Sequence, residues 1–215
     1  MFSSTLSSGS LKDNHILQLD GLRFFAIVSV MIAHWLQWRL YNPFLLKFPF
    51  GGGVILFYVL SGFLITKILL TYKKDNANTH HSHFLKNFYI RRFLRIFPIY
   101  YGLLILLYIM NYENTRELSP WLFSYSVNIY QSIYNEYIGC YSHFWSLSVE
   151  EQFYIFWPWI VRKVSRLFVW LFCFIIGVLL LKFACWWYYH KSGNPIPLAT
   201  VHITRFHCMA VGACG

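Results

Sequence analysis

Apolar residues in this chain come in long runs, separated by shorter polar stretches. The runs lie at about 24–41, 53–72, 96–112, 144–161 and 167–189, and each approaches the roughly 20 residues needed to cross a bilayer as a helix. They predict an all-α, polytopic membrane bundle of about five to six spans. The sixth is left open by "SPWLFSYSVNIYQSIY", within 119–139. A polar span there would invert everything after it, whereas its Tyr, Trp and Asn content also suits chain lying at an interface or re-entering the protein. The Arg162–Arg166 cluster favours the interfacial reading.

Composition agrees with the pattern. The chain is 57% hydrophobic and only 12% charged, too apolar for an ordinary soluble domain. A net charge of +10 raises the question of nucleic acid, but the placement of charge answers it. Lys67, Lys73, Lys74, Lys86, Arg91, Arg92 and Arg95 follow the second run, and Arg162, Lys163 and Arg166 follow the fourth. Positive charge between alternate runs is a topology signal, which puts those connections and the N-terminus in the cytoplasm and argues against a nucleic-acid partner. Nothing apolar precedes the run beginning near Phe24, so the first span is expected to act as the insertion signal.

Several ionisable groups sit inside apolar runs. In "LDGLRFFAIVSVMIAHW", Arg23 and His34 are eleven residues apart, which returns a helix nearly to the same face about 16 Å further along. Ionisable groups at membrane depth face a polar interior by default. Arg91 and Arg95 stand four apart and Arg92 three from Arg95, so a helix beginning there clusters guanidinium forks suited to phosphate, or to lipid headgroups, at the cytoplasmic boundary. Ser146 and Glu150 share a face, from which Glu151 turns about 100° away. Two carboxylates facing lipid would be costly, so at least one must be buried with a partner.

Other features carry less. Gly51–Gly53 lack the lysine of a phosphate loop and instead start a helix after a turn, and "SGF" at 61–63 permits close helix contact, with no role assigned to Tyr58 or Ser61. His80, His81 and His83 lack a completing carboxylate or cysteine, and no metal site is assigned. The five cysteines show neither metal spacing nor a disulfide framework.

Four stretches, "LDGLRFFAIVSVMIAHW", "GGGVILFYVLSGFLIT", "FYIRRFLRIFPIYY" and "HFWSLSVEEQFYIFWP", occur in the order and spacing typical of the membrane-bound acyltransferase-3 family, and the chain closely resembles its N-terminal half. Arg23 and His34 match that family's R-x10-H element, and Ser146 and Glu150 its S-x-x-x-E element. The resemblance implies a bacterial inner-membrane enzyme that moves an acyl group, often acetyl, from acyl-CoA to a hydroxyl of a cell-surface carbohydrate or lipid-linked glycan, with acyl-CoA as donor substrate and no bound cofactor. On that reading 1–18 is a cytoplasmic tail and 19–215 a partial membrane domain.

His34 and Glu150 are then the expected catalytic pair, with the carboxylate orienting the imidazole, and Arg23, Arg91, Arg92, Arg95 and Ser146 are expected to bind substrate. His34 either removes the acceptor's proton or briefly carries the acyl group. Two departures stand out: His207 follows "RF" where the family commonly has aspartate, and the chain stops just as another span begins near Leu198. The missing C-terminal half would leave half a site. A transporter of an anionic or acylated solute fits the intramembrane charges as well, and the missing half would also suit a non-catalytic membrane scaffold descended from the enzyme.

Overall fold

The computed structural model describes residues 17–36, 50–75, 82–194 and 205–215, and among these every regular element is a helix. In a bilayer a helix satisfies all its own backbone hydrogen bonds, which is why apolar runs of this length adopt it. The elements are α1 (Leu17–Met31), continued by a π-helical turn (Ile32–Leu36), then α2 (Gly52–Asp75), α3 (Ser82–Met110), α4 (Thr115–Phe123), α5 (Val127–Tyr134), α6 (Phe144–Lys163), α7 (Leu167–Ser192) and α8 (Phe206–Ala213).

The chain divides into two compact units, Met1–Leu56 and Phe57–Gly215, the break falling inside α2. Within the first, the start of α2 packs closely on α1. A Cβ on Gly53 would lie 2.5 Å from the carbonyl oxygen of Ala26. Only glycine allows that approach, and the helix begins at Gly52 as the glycine run predicts.

The second unit is organised by α2 and α6. Tyr58 reaches Ser146, Ser61 reaches Glu150, Thr66 reaches Trp157 and Lys73 reaches Val161. These pairs advance together along both helices, so α2 and α6 run in the same direction. Their basic ends, Lys73 and Lys74 on α2 and Arg162 and Lys163 on α6, therefore lie at the same end of the unit. Helix α3 runs the other way: Tyr89 donates to the Ile155 carbonyl at 2.9 Å, while Tyr100, further along α3, meets Phe144 at the start of α6.

Between α3 and α6, residues 115–134 form a helical hairpin. Near its start Arg116 donates to the carbonyls of Tyr108 and Ile109, and near its tip Tyr100 and Tyr101 donate to the carbonyls of Leu122 and Phe123. Thus α4 descends along α3. Then α5 climbs back along α6, from Asn128 bonded to Gln152 up to Gln131 bonded to the carbonyl of Ser142. The eight residues from Phe144 to Gln152 put the tip about 12 Å into the bundle. The two helices have 9 and 8 residues, too short to cross a bilayer. The segment around 119–139 is therefore re-entrant rather than a sixth span, which is why α2 and α6 remain parallel.

Of the runs expected to span, α2, α3 and α7 are long and apolar enough by themselves. The first is described only to Leu36. Helix α6 has the 20 residues required but not the apolarity, because Ser148, Glu150 and Glu151 are buried against protein rather than turned to lipid. Helix α3 begins at Ser82, well before the expected start near 96, so the arginines lie inside it rather than at its N-terminus. No proline or glycine interrupts 82–97, and the helix extends through the arginines instead of starting at them. Near the chain's end, Cβ atoms on Gly62 and Gly212 would lie 2.0 Å and 1.9 Å from the carbonyl oxygens of Met209 and Val59. This is the close helix contact expected of "SGF", made with α8.

Candidate active site

In the first unit, Arg23 is half-buried and its Nε has no hydrogen-bond partner among the described residues. His34 is exposed and sits in the π-helical turn, where the wider winding alters the one-face spacing that an uninterrupted α-helix would give. Single π-turns inside helices recur at functional sites.

In the second unit the centre is Glu150, buried on α6. Ser61 Oγ donates to its Oε1 at 3.1 Å, and the Tyr154 hydroxyl donates to the same oxygen. The guanidinium of Arg92 lies 3.1 Å from the centroid of the Tyr154 ring. A chain of contacts thus runs Arg92, Tyr154, Glu150, Ser61 across α3, α6 and α2. Below it, Trp157 Nε1 donates to Thr66 Oγ1 at 2.8 Å, and that hydroxyl donates to the Gly62 carbonyl at 2.7 Å. Above it, the Tyr58 hydroxyl donates to the Ser146 carbonyl at 3.0 Å. A buried carboxylate at membrane depth is tolerable because donors and a nearby cation hold it.

The sequence-predicted arginines separate. Arg92 turns into the bundle over Tyr154, while Arg91 and Arg95, four apart on α3, are exposed. Ser146 is half-buried, and its hydroxyl donates to the His143 carbonyl in its own first turn. The serine that touches the carboxylate is Ser61, which sequence reasoning left without a role. Tyr154 was missed altogether, although it stands four residues beyond Glu150 and hence on its face. Glu151, on the neighbouring face, is also buried, and its Oε1 has no hydrogen-bond partner among the described residues.

At the other end of α6, Arg205 lies 5.6 Å from the Trp145 ring centroid, and His207 Nε2 is 2.9 Å from Lys182 Nζ. Where the family resemblance led to an aspartate, this chain sets the His207 ring beside Lys182 instead. His80 and His81 lie outside the described residues. Among the described residues no three His, Cys, Asp or Glu side chains group as metal ligands.

Outside the spans, the turn after α3 is tied to the turn before α6. Asn111, Glu113 and Asn114 adopt positive φ, and the Glu113 carboxylate accepts the Cys140 N–H at 2.8 Å. That hydrogen bond holds the Glu113 carboxyl below its usual range. Desolvation, with Glu113 beside it, pushes the Cys140 thiol up to about 11.

Known proteins extend this picture. A family model described as an acyltransferase domain matches residues 16–213. The chain is 35% identical over 162 residues to the peptidoglycan O-acetyltransferase OatA of Listeria monocytogenes, covering 67% of this chain and 24% of that protein. It is 34% identical over 164 residues to a putative peptidoglycan O-acetyltransferase, YrhL, of Bacillus subtilis, covering 67% and 23%. A putative O-acetyltransferase of Staphylococcus aureus is 31% identical over 163 residues, covering 68% and 25%. The chain thus spans about a quarter of the length of these curated relatives. No solved structure matches it. The apolar helices, the buried carboxylate network and a match running almost from end to end lead to one conclusion: the chain belongs to the membrane-bound acyltransferase-3 family.

Proposed function

We infer that the protein is a membrane O-acyltransferase, moving an acyl group, most simply acetyl, from acyl-CoA to a hydroxyl of a cell-surface carbohydrate. The observation that carries this reading is the Glu150 network, a carboxylate held by Ser61 and Tyr154 at membrane depth in a chain of this family. The names of the Listeria and Bacillus relatives make peptidoglycan the first acceptor to try.

Acyl-CoA approaches from the end carrying Lys73, Lys74, Arg162 and Lys163, which the positive-inside rule makes cytoplasmic. Exposed Arg91 and Arg95 hold its phosphates bidentately, and Arg92 remains over Tyr154. Arg23 neutralises charge where the pantetheine arm enters. The acceptor oxygen bonds to the acyl carbon as the carbon–sulfur bond breaks. His34 takes the hydroxyl proton and passes it to the leaving thiolate, or first carries the acyl group itself. Glu150 is the catalytic carboxylate.

The test is transfer of labelled acetyl from acetyl-CoA to peptidoglycan fragments by the membrane-inserted chain, with acetyl-CoA binding measured separately. His34→Ala is expected to lower transfer by about 10² to 10⁴-fold or more while donor binding survives. Arg95→Ala is expected to raise the donor concentration for half-maximal rate by roughly tenfold, through loss of a charge-assisted phosphate contact. Near-normal turnover in a folded His34→Ala variant would return that histidine to a packing role.

A further inference from the structure

Tyr154 is 2% exposed and stands one turn beyond Glu150 on α6, with its hydroxyl on the Glu150 carboxylate. A phenol and a serine hydroxyl each have one hydrogen to donate. Tyr154 and Ser61 both give theirs to Oε1, which fills the two lone pairs of that oxygen. The carboxylate is therefore fixed through one oxygen, and Oε2 is left for chemistry.

The Tyr154 ring is held in turn. The guanidinium carbon of Arg92 lies 3.1 Å from its centroid, in contact with the face, and 5.9 Å from the ring of Phe88, one turn earlier on α3. A planar cation over an aromatic face is attracted by the ring's quadrupole, and more strongly away from water. It also draws electron density from the phenol, which makes the O–H a stronger donor to an anionic oxygen. Arg92 is half-buried, whereas Arg91 and Arg95 on the same helix are exposed. Its charge acts on Glu151 as well, so removing it outright would disturb both buried carboxylates.

We propose that Tyr154 is a positioning residue for Glu150, with Arg92 as the anchor of its ring, an inference that rests on the acyltransferase reading above. Side chains from α2, α3 and α6 converge to fix Oε1, and a carboxylate so fixed presents Oε2 in one orientation to the reacting groups. Small misplacements of such a group are costly to the rate. The three arginines of α3 then divide their work. Arg91 and Arg95 serve the donor's phosphates, and Arg92 serves the carboxylate.

The experiment is steady-state acetyl transfer by the membrane-inserted chain with acetyl-CoA varied, paired with infrared spectra of the same samples. Tyr154→Phe keeps the ring under Arg92 and removes only the hydroxyl. It is expected to lower turnover about ten- to a hundredfold while the acetyl-CoA concentration for half-maximal rate stays within about twofold. Arg92→Lys keeps a charge near Glu151 but loses the planar stack, and should lower turnover about three- to tenfold, again with donor dependence unchanged. Placed in a Glu150→Gln background, Tyr154→Phe should cost almost nothing further, because no carboxylate remains to be oriented. A tyrosine that merely packs would cost as much in either background. The infrared carboxylate band that disappears in Glu150→Gln should shift in Tyr154→Phe and in Ser61→Ala, a readout that needs no turnover. Ser61→Ala removes the other donor to the same oxygen and carries the same expectation where Tyr154→Phe fails to fold. An unshifted band, near-normal turnover, or a raised donor requirement with turnover intact would overturn the positioning role. A band that shifts as expected in a chain whose unaltered form transfers no acetyl would overturn the acyltransferase reading instead.

Discussion

Glu150 and Glu151 are adjacent in sequence, equally hidden from solvent, and held in opposite ways. On one face of α6, Ser61 and Tyr154 both donate to Glu150, and Arg92 lies over the tyrosine ring. On the next face, Glu151 is buried as deeply, but its Oε1 has no hydrogen-bond partner among the described residues. One step of about 100° separates a carboxylate built into the protein from one left to be completed. Burial alone does not distinguish the two. What distinguishes them is whether the neighbouring element offers donors.

Replacing the two carboxylates in turn puts most strain on this contrast. Glu150→Gln should lower acetyl transfer by about 10² to 10⁴-fold. Glu151→Gln, which removes no side-chain hydrogen bond seen among the described residues, should lower transfer far less. Steady-state rates with donor and acceptor varied independently read both effects. Equal losses of turnover from the two would erase the distinction.

A smaller effect should come from Gly62, beside Ser61. A methyl there meets the Met209 carbonyl and must push α2 and α8 apart. Gly62→Ala is expected to destabilise the bundle by about 1 to 3 kcal/mol and to loosen the Ser61 contact with Glu150. Thermal unfolding in detergent, with and without acetyl-CoA, measures it. An unchanged midpoint would mean that the helices separate without cost.

The smallest expected effect lies outside the membrane, where Glu113 ties down the base of the hairpin. Its carboxyl is held below the usual range in the folded protein, so the tie is fully present above the ordinary glutamate pKa and is lost as pH falls through the lowered value. Hydrogen exchange at the Cys140 amide should therefore accelerate only in acid, at pH below about 4.5. Glu113→Gln should remove that pH dependence. Exchange independent of pH, after correction for its intrinsic rate, would detach the hairpin's base from this contact.

The helical membrane architecture was legible because lipid imposes length and apolarity on each span, as α2, α3 and α7 show. The motif residues Glu150 and Arg92 were legible through their cost: a charge in an apolar run announces itself. Ser61 was not, because a serine is cheap in a helix and its register with Glu150 is set by packing across 89 residues of sequence. The hairpin was half legible. Tyr, Trp and Asn in 111–142 indicated chain at an interface or re-entering, but not the turn at 124–126 that carries Tyr125 down to Tyr100. Helix α6 is less apolar than its run implied for the same reason that it matters, since its polar face is turned to protein.

The parallel rungs between α2 and α6 also bear on how the molecule is made. Each joins residues 88 to 91 positions apart, so α2 is threaded into the membrane long before α6 is synthesised. During that interval Thr66 can satisfy itself on the Gly62 carbonyl of its own helix, but among the described residues the hydroxyls of Tyr58 and Ser61 donate to α6. Helix α3 must return and the hairpin must tuck in without crossing before α6 can arrive in the same direction. The Glu150 carboxylate therefore arrives late in biogenesis, and the nascent bundle waits for it with the Tyr58 and Ser61 hydroxyls still uncommitted.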